Sequence, residues 1–201
     1  MSCKQITGDI FDKKFSNPQT CIVQQCNCVA LKPHGLSRDI ILNFGAYADV
    51  YGLRKGNTSN IAKIEDRPEP GTIKFCHGSP NVAALFGQFL YGNSESQWKK
   101  RLVGRIDNHF DKGVDLDTKP NRLIYFQKAL SCLKEYLLKY NNNNNNNNLQ
   151  ICSIVFPYKI GCGLAGGTWK EYENEIEKFA KQLLSSKSIP FEVLIVHNPL
   201  F

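Results

Sequence analysis

No apolar run in the chain approaches the roughly 20 residues that a membrane-spanning helix needs, and the opening Met-Ser-Cys-Lys-Gln-Ile holds no hydrophobic secretion core. A cytoplasmic or nuclear protein is therefore expected, with no membrane partner. No Cys-x-x-Cys spacing occurs among the eight cysteines, so a structural zinc site is not expected, and nothing else in the sequence demands a metal. Without a secretory context the even cysteine count does not point to disulfides, and most of these residues lie in apolar runs as small buried hydrophobes. Long basic runs are also missing. Lys and Arg are scattered, with short clusters such as Lys99-Lys100-Arg101. The net charge of +7 would suit an anionic ligand or a nucleic acid, but this spacing reads mainly as a solvated surface. With 201 residues and 42% apolar content, residues 1–201 form one folded domain, expected to act as a monomer.

What the chain does have is concentrated between Ile151 and Trp169. Residues 151–156 are apolar and β-branched, as in a buried strand. A loop follows with Gly161, Gly163, Gly166 and Gly167, then Thr168, Trp169 and a helical pattern. Strand, glycine-rich turn and helix start are how backbone N–H groups are aimed at a phosphate. A tight strand-to-helix connection that merely needs glycine is the simpler reading of the same residues. Cys162 differs from the other cysteines in sitting within this loop.

Elsewhere, strands are expected at residues 3–7, 21–25, 72–76, 82–89 and 191–196, and helices at 36–44, 46–53, 121–140 and 172–184. Residues 91–120 show no period apart from a short helical pattern at 98–103, and read as an insertion or lid facing the substrate. The asparagine run at 141–148 has no apolar content and reads as a disordered surface loop. Alternating strands and helices predict an α/β fold: a three-layer α/β/α sandwich around a mixed, mostly parallel sheet. Ligands of such sheets sit at the carboxyl ends of the strands. The loops at Gly8-Asp9, 27–35 and 161–167 all leave such ends.

Three segments together resemble the macrodomain family. Gly8-Asp9-Ile10 follows the first strand, Ile22-Val-Gln-Gln-Cys-Asn27 is similar to that family's Ile-Val-Asn-Ala-Ala-Asn strand, and Pro157-Tyr-Lys-Ile-Gly-Cys-Gly-Leu-Ala-Gly-Gly-Thr-Trp169 resembles its second phosphate loop. The resemblance implies ADP-ribose, or an ADP-ribosylated substrate, as ligand, with no cofactor. It implies that Asp9 accepts from the adenine amine beside Ile10, and that Asn27 meets the distal ribose. His34, Gly35 and Leu36 would form the first phosphate loop. Gly161, Cys162, Gly163, Leu164, Ala165, Gly166 and Gly167 would wrap the diphosphate.

The departures concern chemistry. Ser37 stands where MacroD-type hydrolases carry an aspartate, and Ala165 where the terminal ADP-ribose glycohydrolases carry theirs; the lysine region of the latter reads Phe86-Gly-Gln88-Phe. The loop is closer to the branch with ADP-ribose 1-phosphate phosphatases. His34 is then the candidate acid or base. Ser37, Asp39 and Cys162 lie near it, Asp39 as a helix-surface carboxylate and Cys162 as loop filler rather than nucleophile. His197 and Asn198 are expected to line the adenine side. An enzyme that hydrolyses an ADP-ribose derivative, a non-catalytic ADP-ribose reader and, more distantly, a nucleic-acid binder are the functions to separate.

Overall fold

The computed structural model describes residues 2–56, 60–93, 117–144, 149–186 and 190–199. Six strands form one sheet: β1 (Lys4–Thr7), β2 (Thr20–Asn27), β3 (Ile73–Cys76), β4 (Asn81–Gln88), β5 (Ser153–Pro157) and β6 (Glu192–His197). Their order is β1-β6-β5-β2-β4-β3, with every neighbouring pair parallel except β3 and β4. The central strands are apolar at successive positions because both their faces are covered. In register, Val82, Ile22, Val155 and Leu194 make one row across four strands, packed with Ile40 of α1 (Leu36–Phe44). The neighbouring residues Val23, Ala83, Ile154 and Val193 point to the other face, under α2 (Lys119–Asn143) and α3 (Trp169–Ser185). The result is the expected three-layer α/β/α sandwich.

The helix boundaries follow from caps and from tertiary partners. α2 opens earlier than residue 121: the Thr118 hydroxyl accepts the Asn121 N–H at 3.3 Å, and Pro120 occupies the first turn, where no N–H is needed. It also closes later than residue 140. Asn141 is buried, donating to the Ile151 carbonyl at 2.7 Å and accepting the Ile151 N–H at 2.9 Å. The first three asparagines of the run thus belong to the helix, and Asn141 to the core, contrary to the expected loop; residues 145–148 lie outside the described residues. α3 starts at Trp169 rather than 172 and buries Tyr172, Ile176, Phe179, Ala180 and Leu183 on one stripe. The second helix expected at 46–53 is only a single turn, Ala46–Ala48. The Asp49 carboxylate takes the N–H groups of Tyr51 and Gly52 at 2.8 and 3.0 Å, which competes with helical pairing and ends it.

Parallel strands bring their carboxyl ends to one edge. There Thr7, Asn27, Gln88, Pro157 and His197 finish their strands, and the connecting loops gather. Of the expected insertion, residues 94–116, with the helix at 98–103, lie outside the described residues.

Candidate functional site

A cleft of about 460 Å³ lies at that edge, a size suited to a small-molecule ligand. Its walls include Asp9, Ile10, Asn27, His34, Gly35, Leu36, Gly161, Gly163, Leu164 and Ala165. Ten of the thirteen residues that the resemblance gives to ligand binding therefore share one hollow. Cys162, Gly166 and Gly167 do not border it.

The glycine loop divides its roles. Gly161 (φ 74°) lies so close to Tyr172 of α3 that a Cβ there would sit 2.3 Å from the ring, and a Cβ on Gly167 would sit 2.5 Å from the same ring. These two glycines serve packing and turn geometry. The Gly166 and Gly167 N–H groups are also consumed inside the loop, by the Gly163 and Gly161 carbonyls at 3.0 Å each. Gly163 is different: nothing lies within 4 Å of its Cβ direction. Among the described residues, the N–H groups of Gly163, Leu164 and Ala165 have no acceptor, and all three residues border the cleft. Cys162 turns away: its Sγ lies 3.4 Å from the Ile160 carbonyl, and it packs against the α2–α3 core. Burial pushes its thiol pKa up to about 11, away from the thiolate form that a nucleophile needs.

On the opposite side, α1 starts at Gly35 (φ 52°) with no side-chain cap. The N–H groups of Arg38 and Asp39 both return to the Gly35 carbonyl, at 2.9 and 3.1 Å. Among the described residues those of Leu36 and Ser37 meet no acceptor, so the positive end of the helix dipole is uncovered beside the cleft.

Asn27 caps the turn that follows β2. Its Oδ1 accepts the Ala30 N–H at 2.7 Å, which orients the carboxamide and leaves Nδ2 as donor. Asp9 also holds its own turn, with Oδ1 on the Phe11 N–H at 3.0 Å and Oδ2 accepting from Asn198 at 3.0 Å. A carboxylate oxygen can take a further donor beside these bonds. His197 and Asn198 also line the cleft.

His34 is exposed and borders the cleft, yet among the described residues nothing hydrogen-bonds its ring. Asp39, expected as a helix-surface carboxylate, is exposed on α1 and borders the cleft as well. Ser37 is buried against Cys26 at 3.6 Å. The Ala165 side chain offers no carboxylate, and its carbonyl is taken by Arg122 at 2.8 Å.

Two arginines that the sequence did not single out build the frame. Arg54 donates to the carbonyls of Asn27, Cys28 and Ala30 at 3.2, 3.2 and 2.8 Å, and lies over the Tyr51 ring at 4.4 Å. Arg122 is buried with Asp117 at 2.5 Å and reaches the Gly92 and Ala165 carbonyls at 2.6 and 2.8 Å. Asp117 in turn accepts from the Phe89 and Leu90 N–H groups at 2.9 and 3.1 Å. One ion pair thus ties the end of β4 to the glycine loop. Gln25, two positions before Asn27 on β2, and Gln88 pair at 3.0 Å on the cleft floor; the period of two in the strand could have pointed to Gln25.

A scan against models of protein families and a search of curated proteins give no match to this chain. Among the described residues no group of three or more His, Cys, Asp or Glu could hold a metal ion, and no helix is long and apolar enough to cross a membrane.

Proposed function

We propose that the cleft binds ADP-ribose, free or as an ADP-ribosyl group on a larger substrate, and that the protein is a macrodomain-like reader of that group. The supporting observation is the pairing of two sets of uncommitted backbone donors, at the start of α1 and at residues 163–165, around one cleft that also holds Asp9 and Asn27. Backbone N–H groups and a helix start suit a diphosphate. The Asn27 amide suits a ribose oxygen, and the Asp9 carboxylate suits an exocyclic amine.

Hydrolysis of an ADP-ribose derivative is the second reading, favoured by His34 and Asp39 bordering the same cleft. The reader assignment is preferred because the imidazole has no orienting partner among the described residues, and the Cys162 thiol is turned away and raised in pKa by burial. Calorimetric titration with ADP-ribose tests binding. Turnover assays on ADP-ribose 1-phosphate and on ADP-ribosylated protein test hydrolysis. Saturable binding without turnover is expected. Turnover that is lost in His34→Ala or Asp39→Ala would replace the reader assignment with the enzymatic one.

A further inference from the structure

A nucleotide diphosphate brings two negative charges to a cleft whose own carboxylates are Asp9 and Asp39. Among the described residues lining it, Lys159 alone is a lysine or arginine. Arg54, close behind the wall, already spends its hydrogens on the Asn27, Cys28 and Ala30 carbonyls. Lys159 is exposed, with its ammonium 5.3 Å from the centroid of the Tyr158 ring. That ring packs in turn against His197 at 4.3 Å and Trp169 at 4.9 Å.

The backbone singles out the same residue. Lys159 has φ 57°, in the left-handed region where a Cβ is strained and glycine or asparagine is at home. The turn sets that conformation: the Pro157 carbonyl accepts the Ile160 N–H at 3.1 Å, which makes Lys159 the third residue of a β-turn, where a positive φ calls for glycine or asparagine. A long cation therefore stands where the fold itself favours glycine. Strain kept at a cleft is a pointer to use rather than to stability.

We infer that Lys159 is a ligand contact and supplies the positive charge that meets the diphosphate. This rests on the ADP-ribose reading above. The ammonium adds a charge-assisted bond to phosphate oxygens that are otherwise held only by neutral amides. It also cancels one of the two carboxylate charges that a dianion would face on entry.

The test compares Lys159→Gln, Lys159→Gly and Lys159→Arg with the unchanged protein, by calorimetry with ADP-ribose and with uncharged adenosine at two salt concentrations. Lys159→Gln and Lys159→Gly should weaken ADP-ribose by about fivefold and flatten its salt dependence. Adenosine affinity should be unchanged in both, and Lys159→Arg should retain ADP-ribose. Lys159→Gly should melt at or above the temperature of the unchanged protein, because the strain is gone. ADP-ribose affinity unaltered in Lys159→Gln, or an equal loss for adenosine, overturns the inference. Absence of ADP-ribose binding by the unchanged protein overturns the cleft assignment itself, and with it the inference.

Discussion

Gly161→Ala should damage the fold, whereas Gly163→Ala, two residues away, should leave it intact. At position 161 the backbone has φ 74°, which costs an alanine about 1–2 kcal/mol relative to right-handed conformations. The new Cβ would also fall 2.3 Å from Tyr172 Cε1 and 2.7 Å from Gln25 Oε1. Tyr172 is 1% exposed and cannot swing aside, so overpacking adds about 1–3 kcal/mol. Together these predict a loss of about 2–5 kcal/mol, a large share of the ~5–15 kcal/mol typical of a folded domain. Gly163 has no positive φ and open space before it, so its alanine should stay within about 0.5 kcal/mol. Urea unfolding monitored by fluorescence measures both. A double-mutant cycle isolates the contribution of the ring: with Tyr172→Ala in the background, Gly161→Ala should cost less, keeping the backbone contribution of about 1–2 kcal/mol and the contact with Gln25 Oε1. Equal effects of the two glycine substitutions, or an undiminished cost after the ring is removed, would refute the division of labour within the loop.

The buried pair gives a second prediction. Asp117→Asn leaves the Arg122 charge without its counter-ion at 1% exposure, and should lower stability by about 3–5 kcal/mol in denaturant titrations; a change below 1 kcal/mol would mean that the pair does not tie β4 to the loop. Cys162 gives a third. With burial holding its thiol near 11, alkylation by iodoacetamide at neutral pH should be about 100-fold slower in the folded protein than in the unfolded chain, and equal rates would refute its buried orientation. The same shift has a thermodynamic sign. The folded state binds this proton more tightly than the unfolded chain, so the stability contribution is full below about pH 9 and disappears as pH rises through about 11. Burial raises Cys3 in the same direction, to about 12, so midpoints should fall with increasing alkalinity, and a flat profile from pH 8 to 11 would contradict this.

Much of the fold was legible because its signals are local. The stripe of Leu36, Ile40, Ile41 and Phe44 marked α1 over the residues it occupies, and β-branched runs marked the buried strands. Asn141 was misread because composition says nothing of a distant partner: its carboxamide is satisfied by the main chain of Ile151. Arg54 and Arg122 escaped for a related reason. Their acceptors are largely backbone carbonyls, which carry no mark in the sequence, and Arg122 reaches 43 positions along the chain to Ala165. Motif order was enough to gather Asp9, Asn27 and the glycine loop around one cleft. It was not enough to orient Cys162, since an irregular loop has no period from which a side-chain direction can be read.

Asn27→Asp bears most directly on ligand binding. The aspartate keeps an oxygen for the Ala30 N–H, so the turn after β2 survives, but it replaces the amide donor of a cleft-lining residue with a negative charge. Calorimetry should record one-site binding of ADP-ribose by the unchanged protein and at least about a tenfold loss in Asn27→Asp, with melting temperatures alike. Equal affinities in the two proteins, or no heat with either, would contradict the account.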